Sequence, residues 1–205
     1  HLETVFEQEI VAYLTAHGWL EGDATGYDRT LALYPEDLLG WLQETQGEER
    51  DKVQALHGER AGKVLLERAA ALMDKEGSLA VLRHGFKQGN ARFQLCQFRP
   101  SNRFNPLTLA RYAQVRCRVV RQVRYSLHNG NSIDLVLFVN GVPVATLELK
   151  TAFTQGVQNA VTQYKTDRLP RDPHTRAEEP LLAFKRRALV HFAVGSEEVY
   201  KIGRA

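Results

Sequence analysis

Two carboxylates and an amine, Asp134, Glu148 and Lys150, stand within seventeen residues of this chain. They interrupt SIDLVLFVNGVPVATLELK at 132–150, which otherwise reads as two apolar strands around an Asn-Gly turn. Residues two apart on a strand share a face, so Glu148 and Lys150 point the same way as Val144 and Thr146. Whether Asp134 joins them depends on the turn. A two-residue Asn140-Gly141 loop pairs Val139 with Val142 and Asp134 with Leu147, which turns Asp134 away. A three-residue loop, with a type I turn on Val139-Asn140 and Gly141 left-handed, sets Phe138 against Val142 and Asp134 against Thr146. The expectation is this loop, or another odd-length loop or a bulge of the same parity.

Two carboxylates converging beside an ammonium have a definite use. Hard oxygen ligands suit Mg²⁺, with Mn²⁺ able to substitute, and the Leu149 carbonyl is a further candidate ligand. Such a cation polarises a phosphate oxygen and activates water, while a lysine at the same edge stabilises charge developing on phosphorus or orients the water. The plain alternative is a solvated sheet face on which these charges fell by chance. The apolar surroundings weigh against it, because lone buried charges are costly.

The elements that must position these groups are legible in outline. Residues 3–17 fit an amphipathic helix with Val5, Phe6, Ile10, Tyr13 and Leu14 near one face, stopped at Gly18. A helix begins at Pro35, and a longer helical region covers 48–83 with breaks at His57-Gly58 and Glu76-Gly77. After Gly89 the pattern changes: strands over 91–98 and 117–127, one or two helical turns over 107–114, then the hairpin. A helix over 155–167 and a buried strand over 188–194 follow. The order predicts an α/β fold with a mixed central sheet and an N-terminal helical insertion.

The 205 residues suit one large domain, read as a first core helix over 1–20, a helical insertion over 21–90 and a sheet core over 91–205. No apolar run approaches the roughly 18 residues of a membrane span and no signal peptide is visible, so a membrane partner is not expected and the default is cytoplasmic. Cys96 and Cys117 stand apart without a Cys-x-x-Cys pair, which argues against a zinc site and leaves a single bridge open. The net charge of +3 is a mild lean toward anionic partners. The chain starts at His1 and ends at Lys201-Ile-Gly-Arg-Ala, which reads as a fragment of something longer.

Asp134, thirteen intervening residues and Glu148-Leu149-Lys150 resemble the PD-(D/E)xK nuclease motif. The whole phrase is similar to one group within it, the N-terminal nuclease domain of the type I restriction enzyme R subunit. The similarity runs upstream through VVRQVRYS (119–126) and downstream through AVTQYKTDR (160–168) and FKRRALVHFAV (184–194). It implies a restriction-endonuclease-like αβββαβ core, Asp134 and Glu148 as metal ligands, and Lys150 as the catalytic lysine. Glu7 matches an acidic helix position that completes such a metal site; its alternative is a solvent-facing helix charge. Related nucleases carry Gln-x-x-x-Tyr on the following helix. Here Tyr164 fits but Ala160 stands where the Gln belongs, with Gln158, Gln163 or Lys165 as substitutes. Ile133 replaces the leading Pro.

The resemblance implies an Mg²⁺-dependent endonuclease acting on double-stranded DNA, with methyltransferase and specificity subunits as partners. ATP would be used only by a motor region absent from this chain. Alternatives are a relative that binds nucleic acid or partner subunits without cutting, or a RecB-like exonuclease module. Basic residues crowd 116–124 and 165–187; Lys165 and Arg168 are the first candidates to touch phosphates, with Tyr164 and Gln163 beside them. Gly58-Glu-Arg-Ala-Gly62-Lys63 has the wrong spacing for a phosphate loop. The histidines show no metal-ligand spacing, and His191, in an apolar strand, reads as a satisfied core histidine.

Overall fold

The structure is a computed structural model that describes residues 2–151 and 157–202. Helix α1 (Leu2–Ala16) is followed by Gly18 at φ +87°, a conformation that costs glycine little. A short strand, β1 (Leu20–Gly22), comes next. Four helices then form a lobe: α2 (Pro35–Thr45), α3 (Gly47–His57), α4 (Ala61–Glu76) and α5 (Ser78–His84). The expected breaks at Gly58 and Gly77 are both there, each glycine at positive φ. Helix α2 starts with Pro35 in its first turn and Glu36 and Asp37 beside it, where fixed φ and negative charge both suit a helix N-terminus.

The lobe is closed by the hairpin β2 (Phe86–Gln88) and β3 (Ala91–Phe93), and helix α6 (Pro106–Ala113) follows. Only 91–93 of the strand expected over 91–98 is strand, and it lies outside the central sheet. The physical reason is packing. Phe93 and Leu95 alternate inward onto the lobe, where Phe93 stacks on Phe86 and joins Leu38, Trp41, Leu65 and Met73 in one buried core. The Trp41 indole nitrogen donates to the Gln94 carbonyl at 2.7 Å, which holds the segment down.

The remaining strands are β4 (Cys117–Arg124), β5 (Ser132–Val139), β6 (Val142–Lys150), β7 (Val190–Gly195) and β8 (Val199–Ile202), with α7 (Val157–Thr166) between β6 and β7. Residues 155 and 156 of the helix expected over 155–167 lie outside the described residues. Among the described residues the central sheet has the order β1-β4-β5-β6-β7-β8. The pairs β1–β4 and β6–β7 are parallel and the others antiparallel, so the sheet is mixed, as the αβββαβ reading requires. The edge strands β1 and β8 were not anticipated; both are short and mostly exposed, so no apolar pattern marks them.

Helix α1 lays Phe6, Ile10, Val11 and Leu14 on one sheet face, against Val119, Leu135, Ala145, Leu147 and Leu149. The other face carries Val120, Val136 and Phe138, with Tyr164 of α7 packed among them.

The β5–β6 turn is two residues, not three. Asn140 and Gly141 both have positive φ (46° and 79°), and Val139 pairs with Val142, the pattern of a tight hairpin matched to strand twist. A bulge at Val144 then restores the parity, because Phe138 pairs with Pro143 but Leu137 pairs with Ala145. Proline lacks the N–H a regular ladder needs, so Pro143 fits beside an irregularity. The helical lobe clamps the turn. The Gly141 carbonyl accepts from Tyr34 N, and a Cβ at Gly141 would sit 2.4 Å from the Tyr34 carbonyl. Asn140 is buried, accepting from Arg116 N at 2.7 Å and donating to the Leu95 carbonyl at 2.9 Å.

Candidate active site

The bulge decides the site. Beyond it Val136 pairs with Thr146 and Leu135 with Leu147, so the same register carried one step further sets Asp134 across from Glu148. Asp134 Oδ2 accepts from the Leu149 backbone N–H at 2.7 Å, so the carboxylate spans to the next strand beside Glu148. The expected convergence of Asp134 and Glu148 therefore holds, reached through the bulge of the same parity and not through a three-residue loop.

Glu148 is 1% exposed, and its Oε1 accepts from Arg168 Nε at 2.7 Å. Burial, reinforced by the neighbouring Asp134 carboxylate, pushes the Glu148 carboxyl up to about 7, and Arg168 offsets only part of this. A carboxyl whose folded pKa lies above its ordinary 4.5 favours folding below that value, and the benefit is lost as pH rises through about 7. In a chelating buffer the thermal midpoint should accordingly fall between about pH 5 and about pH 8, and Glu148→Gln should flatten much of that fall. Thermal melts of both proteins across this range check it; an equal fall in the variant would place the titrating group elsewhere.

Lys150 ends β6, its ammonium 3.4 Å from Glu3 Oε1 on α1. One helical turn on, Glu7 is 8% exposed, so it faces the sheet rather than solvent. Its Oε2 accepts from Gln122 Nε2 at 2.8 Å, and the same amide reaches Asp134 Oδ1 at 3.2 Å. Arg121 lies 3.8 Å from Glu7 Oε1. Among the described residues no group of three or more His, Cys, Asp and Glu side chains is gathered as a metal-ligand set. The arrangement is two adjoining carboxylates, with a third one amide away.

This donor set suits Mg²⁺ or Mn²⁺. Mg²⁺ is typically held by one or two carboxylates and keeps several waters, so it needs no dense protein cage. Buried Glu148 and the half-buried Asp134 beside it gain from a positive charge, and a guanidinium already stands there: Arg168 bonds Glu148 and feels Asp134 as well. Asp134, Glu148 and the Leu149 carbonyl would hold the ion, with Glu7 nearby.

The helix residues named as DNA candidates divide. Tyr164 is 2% exposed, its hydroxyl 2.7 Å from Thr146 Oγ1, which in turn lies 2.7 Å from His191 Nδ1. Burial pushes the Tyr164 phenol well above its ordinary range, so it stays protonated. This chain pins α7 to the sheet one step below Glu148 and makes His191 a bonded core histidine. Gln163 is half-buried and Lys165 is exposed on the outer side of α7. Arg168 is turned onto Glu148. Several other basic residues are committed within the fold: Arg118 to Asp37, Arg187 to Asp74, Arg171 to Glu178. Cys96 and Cys117 are free thiols.

Sequence reasoning missed Gln122 and Glu3. Glu3 lies four residues before Glu7, a spacing that marks one helix face. Gln122 carries no local mark, since the groups it bonds, Glu7 and Asp134, lie 115 and 12 residues away. A family model described as the type I restriction enzyme R protein N terminus matches residues 7–203. No curated protein matches the chain.

Proposed function

The chain belongs to the family of type I restriction enzyme R protein N termini, and from that premise we propose that it is a DNA-cleaving region whose active site is the end of β5 and β6. The observation that carries the reading is the contact of the Asp134 and Glu148 carboxylates two residues before Lys150 on β6, with Glu148 buried and pushed up to about 7 by burial and by Asp134. Strands built for a core do not gather such groups without a return.

A divalent cation bound there supplies Lewis-acid polarisation of a phosphate and activation of water. The chain's own residues do the rest. Leu149 N–H fixes one oxygen of Asp134. Tyr164 and Thr146 hold α7 against the strand, so Arg168 and Glu148 keep one spacing. Lys150, moored to Glu3, sets an ammonium at the strand end, where it stabilises charge on a scissile phosphate. Exposed Lys165 offers a backbone contact on the adjoining helix. Double-stranded DNA is the substrate in this reading. Sequence choice belongs to a specificity subunit, methylation to its methyltransferase partner, and ATP to a motor region of the R protein outside this chain.

One observation favours a non-cutting relative: Arg168 occupies Glu148 as a cation would. Calorimetric titration with Mn²⁺ separates the two. The nuclease reading expects binding that disappears in the Asp134→Ala, Glu148→Ala double variant. Absence of binding to the wild type, with DNA present as well, would favour the non-cutting relative.

A further inference from the structure

Gln122 is where β4 departs from strand geometry. Its φ is +50°, in the left-handed region that L side chains other than Asn and Asp rarely adopt. The ladder to β5 pairs Arg121 with Leu135 and Val123 with Ile133, but Gln122 itself has no pairing. Val120 and Val123 both enter the core on the α7 side, as do their β5 partners Val136 and Ile133.

Glycine or asparagine would take this backbone at less cost, so glutamine is held there by its side chain. One amide nitrogen donates one hydrogen to Glu7 Oε2 at 2.8 Å and is 3.2 Å from Asp134 Oδ1. The amide oxygen accepts from Ser132 Oγ at 3.4 Å. The side chain thus ties α1, β4 and β5 together at the candidate metal site. Asp134 has its other oxygen on Leu149 N, so both of its oxygens are directed and the plane of the carboxylate is set.

We propose that Gln122 is a positioning residue for the divalent cation: its carboxamide fixes the Asp134 carboxylate and draws Glu7 from helix α1 into the same site. The inference rests on the reading of Asp134 and Glu148 as cation ligands. Groups that orient a ligand through its outer oxygen commonly change metal affinity when removed. Here the same strained residue also couples a helix carboxylate to a strand carboxylate, which makes Glu7 count toward the ion.

The test uses Gln122→Gly and Gln122→Asn, both of which accept the left-handed backbone, while neither carboxamide reach is preserved. Mn²⁺ affinity is read by calorimetry, and thermal stability is read in a chelating buffer. The expected result is a dissociation constant raised about tenfold or more, with a thermal midpoint no lower than that of the wild type. Glu7→Gln should weaken Mn²⁺ binding in the wild-type background and change it little in the Gln122→Asn background, the signature of coupling through the bridge. Unchanged affinity in both Gln122 variants overturns the proposal. So does a loss of affinity that only accompanies a loss of stability. A wild type that binds no Mn²⁺ is a different failure, because it removes the cation reading itself.

Discussion

Glu148→Ala and Lys150→Ala are each expected to cut plasmid DNA on the order of 10²–10³-fold more slowly than the wild type, or worse, in any assembly where the wild type cuts. The two losses should differ in kind. Glu148 lies against Asp134, so its removal takes away half of the carboxylate pair, and Mn²⁺ binding should go with the rate. Lys150 contributes an ammonium moored to Glu3, so its removal should leave Mn²⁺ binding intact and slow the chemistry alone. DNA affinity should survive in both variants, since it comes mainly from positive charge spread over the phosphate contacts. Wild-type cutting by Glu148→Ala would remove the site. Loss of Mn²⁺ by Lys150→Ala would mean that the ammonium shapes the ligand set rather than the reaction.

Asp37→Ala should destabilise the fold by roughly 3–5 kcal/mol, the range for breaking a buried ion pair by removing one partner. Asp37 is fully buried on α2, and Arg118 on β4 meets it with two bonds, Nε to Oδ2 at 2.6 Å and a terminal nitrogen to Oδ1 at 2.8 Å. Arg118 also donates to the Glu21 carbonyl at 3.1 Å and stacks 4.6 Å from the Tyr34 ring centre. Without Asp37 the guanidinium keeps its burial and loses its counter-charge. The pair, with the clamp on Asn140 and Gly141, joins the helical lobe to the sheet, so unfolding by urea should remain a single transition at a lower midpoint. A loss below about 1 kcal/mol would mean that Arg118 escapes to solvent when its partner is gone.

The family and the types of the candidate site residues were legible because they depend on local pattern. The Asp134-to-Lys150 phrase carried the family resemblance that the match over 7–203 confirms. Helix boundaries at Pro35, Gly58 and Gly77 were equally open to reading, since proline and glycine act through their own backbone. The turn was not. Asn-Gly favours a two-residue loop, and only the bulge at Val144, set against Pro143 and the Leu189 N–H bonded to the Val144 carbonyl, brings Asp134 round to Glu148.

The sequence by itself therefore determined the residue types of the site, their strand, and the family they belong to. Packing decided which unforeseen groups meet them: Glu3 from α1, Gln122 from the left-handed residue of β4, and Arg168 from beyond α7, beside Glu7, which the family resemblance had already named. The physical reason is range. Strand period and turn chemistry act over a few residues, whereas these partners are 12–147 residues from the groups they bond, brought together by the packing of α1 and α7 on opposite faces of one sheet.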